Sequence, residues 1–194
     1  MAGPSPPRPG CRCRARRAAR AAAKHLLQLG HRRIGLLNGP AGMTFAEHRE
    51  QGYREALSRR GIRPAPHLIA NALFTDEAGF RITHEFLDRH PRPTAIIAGS
   101  MMSALGVMRA IRSRGLQLGK DVSLIAHDDV FAYLNADNMV PAITTTRSSM
   151  RAAGFRIAEL ILQLLAGAPA ASIHEEWPVE LVARASTGPV PEGG

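Results

Sequence analysis

The residues best suited to chemistry stand just after two apolar runs. Thr94-Ala95-Ile96-Ile97-Ala98 leads into Gly99-Ser100, and Val122-Ser123-Leu124-Ile125-Ala126 leads into His127-Asp128-Asp129. A carboxylate accepts two hydrogen bonds side by side, which suits the vicinal hydroxyls of a sugar. Asp128, at the end of an expected strand, is read as a ligand contact, and Asp129 as the cap of the following turn. His127 beside Asp128 also offers an acid–base pair, but no matching nucleophile accompanies it. Arg49 falls near the start of an expected helix, where a cation opposes the helix dipole. Either an anionic partner or ligand accounts for it, or it is an ordinary exposed arginine. Phe74 precedes a helix cap. It stacks on the apolar face of a bound ring, or it packs on that helix as a staple.

Enzyme signatures are missing. There is no glycine-rich dinucleotide fingerprint after a strand, no P-loop, no HExxH and no GxSxG. The eight histidines show no metal-ligand spacing, and Cys11 and Cys13 lack the two further ligands of a zinc site. No enzyme activity, metal or cofactor is expected. The net charge of +9 points to nucleic acid, but its distribution argues otherwise. Nine Arg or Lys and no acid occupy the first 46 residues, whereas sixteen bases and sixteen acids balance from Glu47 onward. The body is neutral and the excess sits at one end. No apolar run approaches the ~20 residues that span a bilayer. With no secretory signal visible, a cytoplasmic location without membrane contact is expected.

These residues need a scaffold. Pro91 and Pro93 forbid a helix before the first apolar run. Between the two runs, Met102 to Arg114 is helical in pattern and stops at Gly115. Continuous apolar strands flanking a helix indicate a parallel sheet covered on both faces, with ligands past the strands' carboxyl ends. The same alternation extends along the chain. A helix over Arg16 to Leu29 precedes a strand over Arg33 to Leu37, and a helix over Ala46 to Arg60 precedes a strand within His67 to Leu73. Thr75-Asp76-Glu77 caps the next helix, whose Ile82 and Phe86 face inward and whose Gly79 permits close approach to the sheet. Ile143 to Thr146 is extended, Ser149 to Leu165 is a strong helix, and Glu175 to Ala183, with Trp177 and Val179, is a last strand. The expected class is α/β, a doubly wound parallel sheet. The central helix is apolar nearly all round, including Leu105 and Met108, so a second subunit is expected to cover what the sheet does not.

The order and spacing of several motifs resemble the lactose/galactose-repressor (LacI/GalR) family. They are His25 to Ile34 followed by Asn38-Gly39-Pro40, Arg49-x-x-Gly52-Tyr53, Pro93-Thr94-Ala95-Ile96, Ala104-Leu105-Gly106, Asp121-Val122-Ser123 with Asp128-Asp129, Ile143-Thr144-Thr145, and Ser186-Thr187-Gly188. The resemblance implies a type I periplasmic-binding-protein-like core that senses a small, sugar-like effector and forms a homodimer. It places Arg49, Phe74, Ser100, Asp128 and Ser148 on effector-contacting positions, and Leu105 and Met108 in the dimer interface. Ser100-Met101 stands where many members carry Asn-Asp, which implies an altered effector. The implied division is a disordered basic arm over 1–14, a C-terminal lobe over 15–148, a remnant of the N-terminal lobe over 149–177, and a return to the C-terminal lobe and tail over 178–194. Operator DNA would be met only through a helix-turn-helix head absent from this chain. In the family the Ser149 to Leu165 helix packs on the other lobe, so its apolar stripe is expected to lie partly bare here. A solute-binding protein for transport, of the same fold, is the alternative reading, and a small α/β enzyme a remote one.

Overall fold

The computed structural model describes residues 14–127, 133–169 and 178–191. Its centre is a six-stranded sheet in the order β2-β1-β3-β4-β5-β6. β1 (Ile34–Asn38), β2 (Ile69–Asn71), β3 (Ala95–Ala98), β4 (Ser123–His127) and β5 (Thr144–Arg147) run parallel, and β6 (Glu180–Val182) closes the edge antiparallel to β5. β1, β3 and β4 are buried throughout, which is why they read as unbroken apolar runs.

Side-chain alternation divides the core in two. Ile34, Leu36, Ile97 and Ile125 face α1 (Arg14–Gln28) and α2 (Thr44–Ser58), meeting Leu26, Tyr53 and Leu57. Leu37, Ile96 and Leu124 face α3 (Asp76–Leu87) and α4 (Met101–Ser113), meeting Ile82, Phe86, Met101 and Val107. Each such side chain contributes roughly 1.5–3 kcal/mol by leaving water. The buried Tyr53 hydroxyl donates to the Ile34 carbonyl at 2.7 Å, tying α2 to β1.

Glycines set how closely the helices pair. A Cβ on Gly52 of α2 would lie 2.0 Å from the Arg16 carbonyl oxygen of α1. Gly79 and Gly106 do the same for α3 and α4: their Cβ atoms would meet Ser103 O at 2.2 Å and Asp76 O at 2.0 Å. This corrects one expectation, because Gly79 makes room for the neighbouring helix and not for the sheet. The strand expected within His67 to Leu73 is present as Ile69–Asn71. Pro66–Leu68 before it forms a 3-10 turn, since proline at the first position presets a helical φ. The last strand is shorter than Glu175 to Ala183; it occupies Glu180–Val182, and Glu175 to Trp177 lie outside the described residues.

The chain's closing motif seals the amino edge of the sheet. Ser186 Oγ accepts from the Thr144 amide at 2.8 Å and donates to the Leu124 carbonyl at 2.7 Å. Buried His31 lies 2.9 Å from Thr94 Oγ1 and 3.0 Å from both Ser123 Oγ and the Gly188 carbonyl. Burial lowers the pKa of its imidazole, against the opposing effect of the Gly188 carbonyl. α5 (Met150–Leu165) stands apart from this body. None of its described side chains is buried, and Phe155 and Leu165 are 64% and 80% exposed.

Candidate functional site

The carboxyl edge collects polar groups from four strands. Asn38 ends β1, Gly99 and Ser100 follow β3, His127 ends β4, and Ser148 follows β5. The edge lies beside buried strands, so polar side chains there either satisfy one another or face a ligand.

Arg49 is its organising cation. It is 5% exposed, and its Nη1 donates to Asn38 Oδ1 at 3.2 Å. The Asn38 amide nitrogen donates in turn to the Ala46 carbonyl at 2.8 Å, which fixes the orientation of the acceptor. Two rings flank the guanidinium: its Cζ lies 5.7 Å from the Phe45 centroid and 5.6 Å from that of Phe74. The rings are 5.9 Å apart and tilted by 36°. Glycines allow this crowding. A Cβ on Gly99 would lie 2.8 Å from Phe74 and 2.9 Å from Arg49 Nη1, and one on Gly39 would lie 2.5 Å from Phe45. Of the open readings, Arg49 is buried rather than an ordinary surface arginine. Phe74 turns to the sheet edge beside it.

His127 is 7% exposed, with Nδ1 3.2 Å from Thr146 Oγ1. Burial above all, and then the charges of Arg49 and Arg14, push its pKa down to about 4, against the Thr146 backbone hydrogen bond. The ring is therefore neutral at neutral pH. Asp128 and Asp129 lie outside the described residues.

Two serines are already committed to the protein. Ser100 Oγ caps α4, accepting from Ser103 N at 3.2 Å and donating to Ser103 Oγ at 3.3 Å. Ser148 Oγ donates to the Pro178 carbonyl at 2.8 Å. Met101 is fully buried in the core and contributes nothing polar to the edge. The structure thus brings Arg49 and Phe74 together, and places Ser100 and Ser148 at the same edge with their hydroxyls engaged. Sequence reasoning missed Asn38 and Phe45. A polar amide closing an apolar strand was the available signal for the first; a lone aromatic without periodic context gave none for the second.

A family model described as a periplasmic binding protein-like domain matches residues 23–187. The chain belongs to that family. Within the periplasmic binding protein-like family its relatives are regulators. It is 45% identical over 171 residues to the HTH-type transcriptional regulator AglR of Rhizobium meliloti, covering 88% of this chain and 48% of that protein. A sugar-binding LacI-family regulator from Escherichia coli, solved with phosphate, superposes with a TM-score of 0.81 at 27% identity, over 91% of this chain and 62% of that one. The lac repressor dimer bound to operator and the anti-inducer ONPF gives 0.79 at 30% identity, over 90% and 59%. The chain spans about half the length of the curated relatives it matches. The lactose/galactose-repressor resemblance holds, and the relatives are transcriptional regulators rather than enzymes. Among the described residues no helix is long and apolar enough to cross a membrane.

Proposed function

We propose that this chain is the effector-sensing and dimerisation core of a LacI-type transcriptional regulator, responding to a sugar-like metabolite at the carboxyl edge of its sheet. The observation that carries the reading is the buried Arg49, aligned by Asn38 between the Phe45 and Phe74 rings. Such a group presents donors beside aromatic faces, the combination that a hydroxyl-rich ring with an apolar face requires. Asp128, next in sequence after His127, would add a bidentate acceptor. Ser100 and Ser148 would meet the effector only by sharing hydroxyls that already serve the fold. In the whole regulator, effector binding would bias the relative orientation of two lobes and so the affinity for operator DNA. The DNA contacts would lie in the part of the relatives outside the matched half.

Dimerisation would use the outer face of α4. Leu105 and Met108 are half-buried there and, with Leu116 and Val140, line an apolar groove of about 580 Å³. Ligand-observed NMR with neutral mono- and disaccharides tests the effector reading. At least one saccharide should bind, and Arg49→Ala should weaken it about tenfold or more. Arg49→Lys should not restore it, because an ammonium lacks the planar fork held between the rings. Saccharide binding that is indifferent to both variants, or no saccharide binding to folded protein, refutes the proposal.

A further inference from the structure

The α1–α2 face carries a second concave site, remote in chemistry from the sheet edge. A hollow of about 430 Å³ is walled by Arg17, Arg20 and Lys24 of α1 and by Arg59 and Arg60 beyond the end of α2. Among the described residues no acid lines it, and Ala21, Leu27, Ala56 and Val179 supply an apolar floor. Arg17, Arg20 and Lys24 stand three and four residues apart, so one side of α1 presents all three.

Several arginines elsewhere on this protein are neutralised locally. Arg16 pairs with Glu55, Arg54 with Glu50, Arg81 with Glu85, Arg109 with Asp76, Arg114 with Asp88 and Arg184 with Asp137. Arg20, Lys24, Arg59 and Arg60 pair with no acid among the described residues. The carboxyl end of α2 accounts for Arg59 and Arg60 through the helix dipole. It does not account for Arg20 and Lys24, which come from another helix and converge on the same hollow. Like charges around one concavity repel, and an anion relieves the repulsion.

We propose that this hollow binds a small, multiply phosphorylated ligand, its phosphates held by the Arg and Lys walls and any attached ring resting on the apolar floor. Guanidinium groups bind phosphate oxygens in paired, charge-assisted hydrogen bonds. The volume lies within the range of small-molecule sites.

Isothermal titration of the whole chain with ADP, inorganic pyrophosphate and adenosine tests this. ADP and pyrophosphate should bind, with affinity falling as salt rises, and adenosine should not. Tighter binding of ADP than pyrophosphate marks a nucleotide-like ligand, and equal binding marks the phosphates alone. Arg20→Ala and Arg59→Ala should each weaken ADP about tenfold; neither side chain is buried, and circular dichroism verifies the fold. Arg49→Ala should leave ADP binding unchanged, which separates this site from the proposed effector site. The proposal is overturned if neither anion binds, or if binding ignores salt or both groove variants. Loss of ADP binding in a folded Arg49→Ala protein overturns it equally.

Discussion

Gly106→Ala and Gly154→Ala are the same substitution on two helices, and the structure gives them different outcomes. On helix propensity alone, each should stabilise by up to ~1 kcal/mol. A Cβ on Gly154 meets nothing within 4 Å. A Cβ on Gly106 would lie 2.0 Å from Asp76 O and 2.5 Å from Phe80 N, where ordinary contact begins at 3.4 Å. Both obstructing atoms are backbone of α3, so no rotamer change relieves them, and α3 and α4 must part by more than 1 Å. Overpacking of this kind costs roughly 1–3 kcal/mol, and a gap of that size forfeits a quarter to a half of each dispersion contact along the seam. Taking the upper end and subtracting the propensity gain leaves about 2 kcal/mol of destabilisation for Gly106→Ala. For a chain of this length that lowers Tm by about 4–8 °C. Gly154→Ala should lower neither Tm nor the urea midpoint, because α5 buries no described side chain against the body. Thermal and urea denaturation followed by circular dichroism measure both. A Gly106→Ala protein at least as stable as its parent would refute the helix-seam argument.

Three further outcomes are expected. His127 has its pKa depressed from an ordinary 6.5 to about 4, so its contribution to stability is present above pH 6.5 and is lost as the pH falls towards 4. Its size is on the order of 3 kcal/mol. His127→Gln should therefore flatten the fall in Tm between neutral and acidic pH, and identical profiles would contradict the assignment. Ser186→Ala should cost about 1–3 kcal/mol, since it leaves the Thr144 amide without its acceptor at the buried amino edge; denaturant titration reads this directly. On the proposed dimerisation through α4, Leu105→Glu should leave only monomer in sedimentation velocity by charging the groove.

Much of the architecture was legible because its cause is local and periodic. Runs such as Ala95–Ala98 and Ser123–His127 are covered on both faces, and a strand covered on both faces cannot alternate polar with apolar residues. The Thr75 cap followed the same logic, with its side chain accepting from Ala78 N at 3.2 Å three residues on. The expected bare stripe on α5 is also present, with Ile157 and Ile161 57% and 49% exposed. The carboxyl edge could be located from strand order alone, and Arg49 and Phe74 could be nominated for it.

How the described groups at the edge are bonded depends on which partners the fold brings to them. Ser100 and Ser148, which the resemblance places on effector-contacting positions, have hydroxyls bonded to Ser103 and Pro178. Gly79 looked like a contact with the sheet until α4 arrived beside it. Asn38 and Phe45 gained meaning only when the chain returned Arg49 and Phe74 to the same place. The amino-acid order by itself determined which segments are strands and helices, because propensity and burial pattern act over a few neighbouring residues. Tertiary structure alone decided which polar atoms remain available, because a hydrogen bond is satisfied by whatever donor or acceptor the packing brings within about 3 Å.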